Sequence, residues 1–188
     1  MARMRTIPTV ARNLRRMRRA RKGAVYIELV ATVLLLATVF IGIGVIGATT
    51  IDIDRDTRSI RSGIDMLEVL SEETTTPVQD DYDRLGQRMV SVASLNSDED
   101  FQIHFTAVDH DVISGDPVIL FQGAYGTDPT RMSRLSIASG LVTVNGFDFT
   151  VEDGERLLVV EMFRAARGLS PDPAADRYVK AATYTRVP

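Results

Sequence analysis

Three short stretches of this 188-residue chain carry groups with chemical potential. Asp52-Ile53-Asp54-Arg55-Asp56 offers alternate carboxylates, the opening of a calcium-binding loop. Such a loop needs glycine at its sixth position and glutamate at its twelfth, where Thr57 and Gly63 stand, so the pattern fails. A solvated acidic collar is the expected role of these residues. Asp109-His110-Asp111 has the ligand types for a metal ion and equally the composition of a turn, and the turn is the expected reading. The third stretch is centred on Glu28, a carboxylate at the front of a run otherwise made for hydrocarbon.

The remaining inventory excludes several chemistries. The chain has no cysteine, so thiolate catalysis, thiolate metal sites and disulfides are ruled out, and the core must hold by burial alone. No phosphate-cradling glycine loop and no Gly-x-Ser-x-Gly motif is present. Of the two histidines, His104 alternates with apolar neighbours and is expected on the polar face of a strand. No catalytic residue, cofactor or metal site is expected, and the chain is read as a non-enzyme.

The elements that position Glu28 are plain in the charge pattern. Residues 1–23 hold nine Lys/Arg and no acid, among them Arg15, Arg16, Arg18, Arg19, Arg21 and Lys22. The rest of the chain carries 13 Lys/Arg against 25 Asp/Glu, a net of −12. From Leu29 to Ile51 there are 23 consecutive uncharged residues. As a helix this run is about 34 Å long, enough to cross a hydrocarbon core of about 30 Å. Basic residues beside such a span stay on the cytoplasmic side, so Met1–Gly23 is expected inside and the acidic part outside. With a span immediately following, the basic leader is expected to meet a membrane and not nucleic acid.

A cleaved secretory signal has a shorter apolar region, of about 7–15 residues. A plain signal anchor accounts for the basic flank and the span, but not for Glu28 or for the lone glycine at the charge boundary. The segment Lys22-Gly23-Ala24-Val25-Tyr26-Ile27-Glu28-Leu29 resembles the processing site of type IV prepilins and pseudopilins. That resemblance implies cleavage between Gly23 and Ala24 by a membrane prepilin peptidase, with Glu28 fifth in the mature chain. It also implies a role for Glu28 in assembly, neutralising the new N-terminus of a neighbouring subunit. On a helix, Glu28 lies one turn from Ala24 and on the same face, and pairing with an ammonium would offset the cost of burying the carboxylate. The alternative is a Glu28 that snorkels to the cytoplasmic interface.

Beyond the span, Ile53, Ile60, Ile64, Leu67 and Leu70 continue at helical spacing, and Thr74-Thr75-Thr76-Pro77 supplies a stop. One helix is therefore expected from about Ala24 to Glu73, its first half in lipid and its second half laying an apolar stripe on a head. A second helix is expected over Asp81–Leu95, capped by Asp80 or Asp81. From Phe101 the period becomes two, and strands are expected over 101–107, 118–121, 141–144, 147–151, 157–163 and 178–184. Asn145-Gly146 marks a hairpin and Asp153-Gly154 a turn. The fold class is α+β, with a long N-terminal helix on a mainly antiparallel sheet. The expected divisions are a cytoplasmic leader (1–23), a membrane part of the helix (24–51), its external part (52–76) and the head (77–188).

A second resemblance lies near the other end. Gly154-Glu155, Val160-Glu161-Met162-Phe163, Leu169-Ser170-Pro171 and Arg186-Val187-Pro188 are similar to the closing segment of TadE/TadF-like minor pilins of the tight-adherence pilus. Arg164-Ala165-Ala166-Arg167 departs from the aromatics usual there, and Val187 interrupts the usual Arg-Pro ending. Together the two resemblances imply a minor pilin or pseudopilin, held in the bacterial inner membrane or incorporated into an adhesive type IV pilus. Its implied partners are a prepilin peptidase, other pilin subunits, an inner-membrane assembly platform and the lipid bilayer. A type II secretion pseudopilin, a signal-anchored binding module that does not assemble, and a membrane-tethered enzyme are the competing readings.

Overall fold

The computed structural model describes residues 29–95, 99–165 and 177–187 with their side chains, and residues 7–28 and 176 as backbone of the elements they belong to. The chain divides into two compact units, Met1–Gly47 and Ala48–Pro188. The fold class is α+β, as the hydrophobic patterning requires.

Helix α1 runs Ile7–Glu73, starting earlier than expected because the leader is rich in arginine, a good helix former. Its C-terminal end falls where the threonine run and Pro77 demand. Thr74 still donates to the Leu70 carbonyl, and Thr76 N–H then turns to Thr74 Oγ1. Among the described residues of the first unit no side chain of the helix is buried. Leu34, Leu35, Phe40, Ile41 and Ile46 are all more than half exposed.

The second unit has three layers. The last turns of α1 and helix α2 (Gln79–Ala93) form the first. Asp81, at the third position of α2, accepts from Val78 N–H at 3.0 Å, so an acid does cap this helix, from inside its first turn. The middle layer is a four-stranded antiparallel sheet of β1 (Phe101–His110), β2 (Pro117–Gly126), β6 (Glu155–Ala165) and β7 (Asp176–Arg186), in the order β2-β1-β6-β7. The third layer is an antiparallel meander of β3 (Leu135–Ala138), β4 (Leu141–Val144) and β5 (Phe147–Phe149).

Register sorts the side chains of the middle sheet. Ile103, Phe105 and Ala107 stand opposite Met162, Val160 and Leu158 and bury against Ile60, Ile64 and Leu67 of α1 and Leu85 and Met89 of α2. Val108, Leu157 and Val159 bury on the other side with Val142, Val144 and Val151. Both faces of β1 and β6 are therefore covered. Alternation in β1 reports which face a residue takes, and His104, expected on a polar face, is only 8% exposed. Ile53, counted in the expected apolar stripe, is 54% exposed; the stripe that packs begins two turns later, at Ile60.

Among the described residues seven strands form, where six were expected. The missing one, β3, is four residues long and joins β4 through Ser139-Gly140, both at positive φ. Asn145 and Gly146 are likewise both at positive φ, as a two-residue primed hairpin turn requires. The expected 118–121 segment extends to Gly126 because Gly123 does not end the strand. It lies under the Tyr82 ring, where a Cβ would come within 2.4 Å of ring carbons.

The seat of α2 on β2 is equally tight at Gly86, where a Cβ would fall 2.1 Å from Tyr125 Cδ1. Ala at a helix interior position gains about 1 kcal/mol over Gly. Overpacking against a ring seated on the core costs about 1–3 kcal/mol. Gly86→Ala is therefore expected to lower the thermal midpoint of the detergent-solubilised full chain. Adding Tyr125→Ala should recover part of the loss. Gly63→Ala should cost less, since its new methyl meets the flexible thioether of Met89.

Candidate functional site

Leu29–Glu73 of α1 contains a window of mean hydropathy 2.8, none of it buried against the rest of the chain. This helix is long and apolar enough to cross a membrane, a property consistent with membrane anchoring. Within the run, Thr38 Oγ1 donates to the Leu34 carbonyl at 2.9 Å, so the hydroxyl needs no water. Gly42, Gly44 and Gly47 have no atom of another element near them. Gly23, Ala24, Glu28 and the leader charges Arg15, Arg16, Arg18, Arg19, Arg21 and Lys22 fall on the α1 backbone, and their side chains lie outside the described residues.

The helix is tied to the head by two arginine clamps, one an ion pair and one a hydrogen bond to a helix carbonyl. At the end nearer the apolar run, Asp56 Oδ2 accepts from Arg164 Nε at 3.2 Å and Nη2 at 3.0 Å, and pairs with Arg177 Nε at 3.0 Å. Asp56 is 1% exposed and Arg164 2%. Burial pushes the Asp56 carboxyl up, against the pull of both guanidiniums, and Asp52 adds a further upward push. Its second oxygen, Oδ1, has no partner among the described residues. At the far end Arg156 donates to the Ser71 carbonyl at 2.7 Å and to Asp109 at 3.0 Å. The clamps are eight residues apart on β6 and fifteen apart on α1. These separations correspond to about 26 Å of strand and about 22 Å of helix, so β6 lies along α1 in the opposite direction.

This arrangement corrects the acidic collar. Asp54 does behave as a collar residue, exposed and paired with Arg58 one turn on. Asp56 does not, because it lies four residues before Ile60 and so on the buried face of the same helix. The available signal was an acid on an apolar stripe and an arginine closing an apolar strand.

A second polar cluster lies on the opposite face of β6. Glu161, fully buried, accepts from Ser133 Oγ, from Arg134 N–H at 3.0 Å and from Tyr178 OH at 2.8 Å. Burial and the Glu161 charge push the Tyr178 hydroxyl up, which keeps it a donor. The Arg134 guanidinium covers the Tyr178 ring at 4.6 Å and the Phe163 ring at 5.3 Å. This cluster pins the loop before β3 onto the sheet.

Asp109-His110-Asp111 is a strand end running into a turn, as expected. Asp109 is committed to Arg156, while Asp111 accepts from Ile113 N–H and Ser114 Oγ, hydrogen bonds that lower its pKa. His104 Nε2 meets the Arg131 carbonyl at 2.7 Å. Among the described residues no three His, Asp or Glu groups converge as a metal site.

Removing one partner of a buried ion pair leaves an uncompensated charge and costs about 3–5 kcal/mol. Asp56→Ala is therefore expected to destabilise the head strongly, measured by denaturant unfolding of the full chain in detergent. Asp56→Leu with Arg164→Met should be milder than Asp56→Ala alone, because no desolvated guanidinium at position 164 is then left unpaired.

Comparison with protein-family models, with curated proteins and with solved structures yields no match for this chain, so the roles of these residues rest on their chemistry and geometry.

Proposed function

We propose that this chain is a pilin-like structural subunit, processed at Gly23–Ala24 and assembled through its N-terminal helix into an adhesive type IV pilus of the tight-adherence kind. One observation carries the reading: a lone glycine ends a basic leader, and a single carboxylate stands five residues on, at the head of 23 uncharged residues. Leaving Glu28 unpaired in hydrocarbon costs about 2–3 kcal/mol. A cut after Gly23 creates an α-amino group, and a subunit that meets another subunit's N-terminus gives Glu28 its counter-charge. Further support comes from α1, which is bare over its apolar part and serves as the spine of an α+β head in its second half. In this reading the leader stays cytoplasmic, the helix crosses the bacterial inner membrane once, and the head is exported. A prepilin peptidase, other pilin subunits and an inner-membrane assembly platform are the partners.

Processing is tested by intact mass. In cells with the peptidase the chain should start at Ala24 and lack the nine leader charges, and without it the mass should remain 20.7 kDa. Gly23→Arg should block the cut, since a long side chain would occupy the scissile position. An unprocessed chain in both strains would favour a plain anchor.

Assembly is tested at Glu28. Glu28→Leu removes a charge from hydrocarbon, so insertion and cleavage should proceed normally. Pilus formation should fail, because the N-terminal ammonium of the neighbouring subunit is left unpartnered in low dielectric. Normal pili in a strain carrying only this variant would return the chain to a membrane-anchored module that does not assemble.

A further inference from the structure

The hairpin between β1 and β2 presents two aliphatic side chains to solvent on a rigid turn. Val112 is 76% exposed and Ile113 96%. Hydrogen bonds close this tip on itself. Asp111 Oδ1 accepts from Ile113 N–H at 3.0 Å, its Oδ2 accepts from Ser114 Oγ at 2.8 Å, and its carbonyl accepts from Gly115 N–H at 2.8 Å. Asp111 N–H closes the loop on the Asp116 carbonyl at 3.0 Å, and Gly115 supplies the positive φ the turn needs. The conformational entropy of ordering this tip is spent in folding, so a contact made by Ile113 loses little to it.

The same unit carries a matching recess. Between α1 and α2 lies an open groove of about 580 Å³ with Met66, Val69, Leu70 and Leu85 along it. Its α2 wall carries Arg84 and Arg88, and its α1 wall carries Asp65 and Glu73. Arg84 is engaged by Asp81, whereas Arg88 is exposed and has no ion-pair partner among the described residues. Asp116, exposed at the base of the tip, likewise has none. An aliphatic tip with an acid beside it thus complements an apolar groove with an arginine beside it.

The two features lie at different levels along α1. Asp109, Arg156 and Ser71 mark one level, Ile113 at the tip lies four residues further along the chain, and Val69 lies just before it. The offset is at most about 16 Å. Two copies at the same level do not bring tip to groove, whereas a copy advanced along the α1 direction does. We propose that the Val112–Ile113 tip of one copy docks in the α1–α2 groove of a second copy, with Asp116 beside Arg88. Such a contact joins different surfaces of the two copies, so it repeats into an open series and does not close as a dimer. The inference deepens the assembly reading above and rests on it.

The absence of native cysteine makes the test clean. The full-length chain is expressed in its host membrane with Ile113→Cys in one copy and Val69→Cys in another, and oxidised. A disulfide-linked pair is expected from the mixture and from neither variant alone, and a chain carrying both cysteines should give a ladder of multiples. Asp116→Arg should lower the yield about tenfold, and adding Arg88→Asp should restore it. Ile43→Cys in the apolar helix reports association that does not involve the head. Cross-linking through Ile43→Cys without any tip-to-groove product overturns this inference and leaves assembly standing, whereas absence of both removes assembly too. Linked pairs from Ile113→Cys alone, products whose masses are not multiples of the chain, or a yield unchanged by Asp116→Arg would each overturn it.

Discussion

A single carboxylate oxygen, Asp56 Oδ2, holds three elements of this molecule in register. It receives Arg164 from β6 and Arg177 from β7 while belonging to α1, and two of the three residues are almost fully removed from water. Buried ion pairs are weak contributors to net stability, because desolvation consumes most of the Coulombic gain. They are unforgiving of misplacement, however. Sliding β6 by one residue would send Arg164 to the opposite face of the sheet and strand Asp56 in the core. The pair is best understood as setting which part of α1 lies on which part of the sheet.

The second clamp makes that setting a direction as well as a position. Arg156 holds the last turn of α1 through the Ser71 carbonyl and the end of β1 through Asp109. Helix ends leave carbonyls without partners, and a guanidinium at such a place both satisfies one and complements the negative end of the helix. With both ends of β6 attached to α1, the apolar stripe of Ile60, Ile64 and Leu67 can meet only one set of strand residues. On the far face Glu161 plays the corresponding part, with donors from the loop before β3 and from β7.

The apolar half of α1 obeys a different constraint. Its leucines and isoleucines, and its valines apart from half-buried Val45, remain exposed along the described run, and none of the window is covered by the rest of the chain. A patch of this extent in water would drive association, while hydrocarbon demands only that backbone groups be bonded internally, as in a helix they are. One covalent element therefore carries a segment suited to lipid and a segment suited to a protein core. The change of role coincides with the first cluster of acids, Asp52, Asp54 and Asp56.

Much of this was legible in the chain itself. Charge asymmetry, the uncharged run, the end of α1 at Glu73, helix α2 and the Asn145-Gly146 hairpin depend on local propensity and periodicity, which a sequence displays directly. So does the α+β class, since a change of period from helical to two marks where sheet begins. What only the tertiary structure decided depends on partners distant in the chain. Asp56 looks like its acidic neighbours until Arg164, 108 residues away, is placed against it. Gly123 looks like a strand terminator until the Tyr82 ring occupies the space a side chain would need. His104 alternates like a solvent-facing residue and Glu161 is a lone acid inside an apolar run, but a second sheet and its loop cover the face both occupy. In each case the sequence by itself determined the period and the residue type. The environment that turns a charge into a clamp, or a glycine into a seat, exists only once remote segments have packed together.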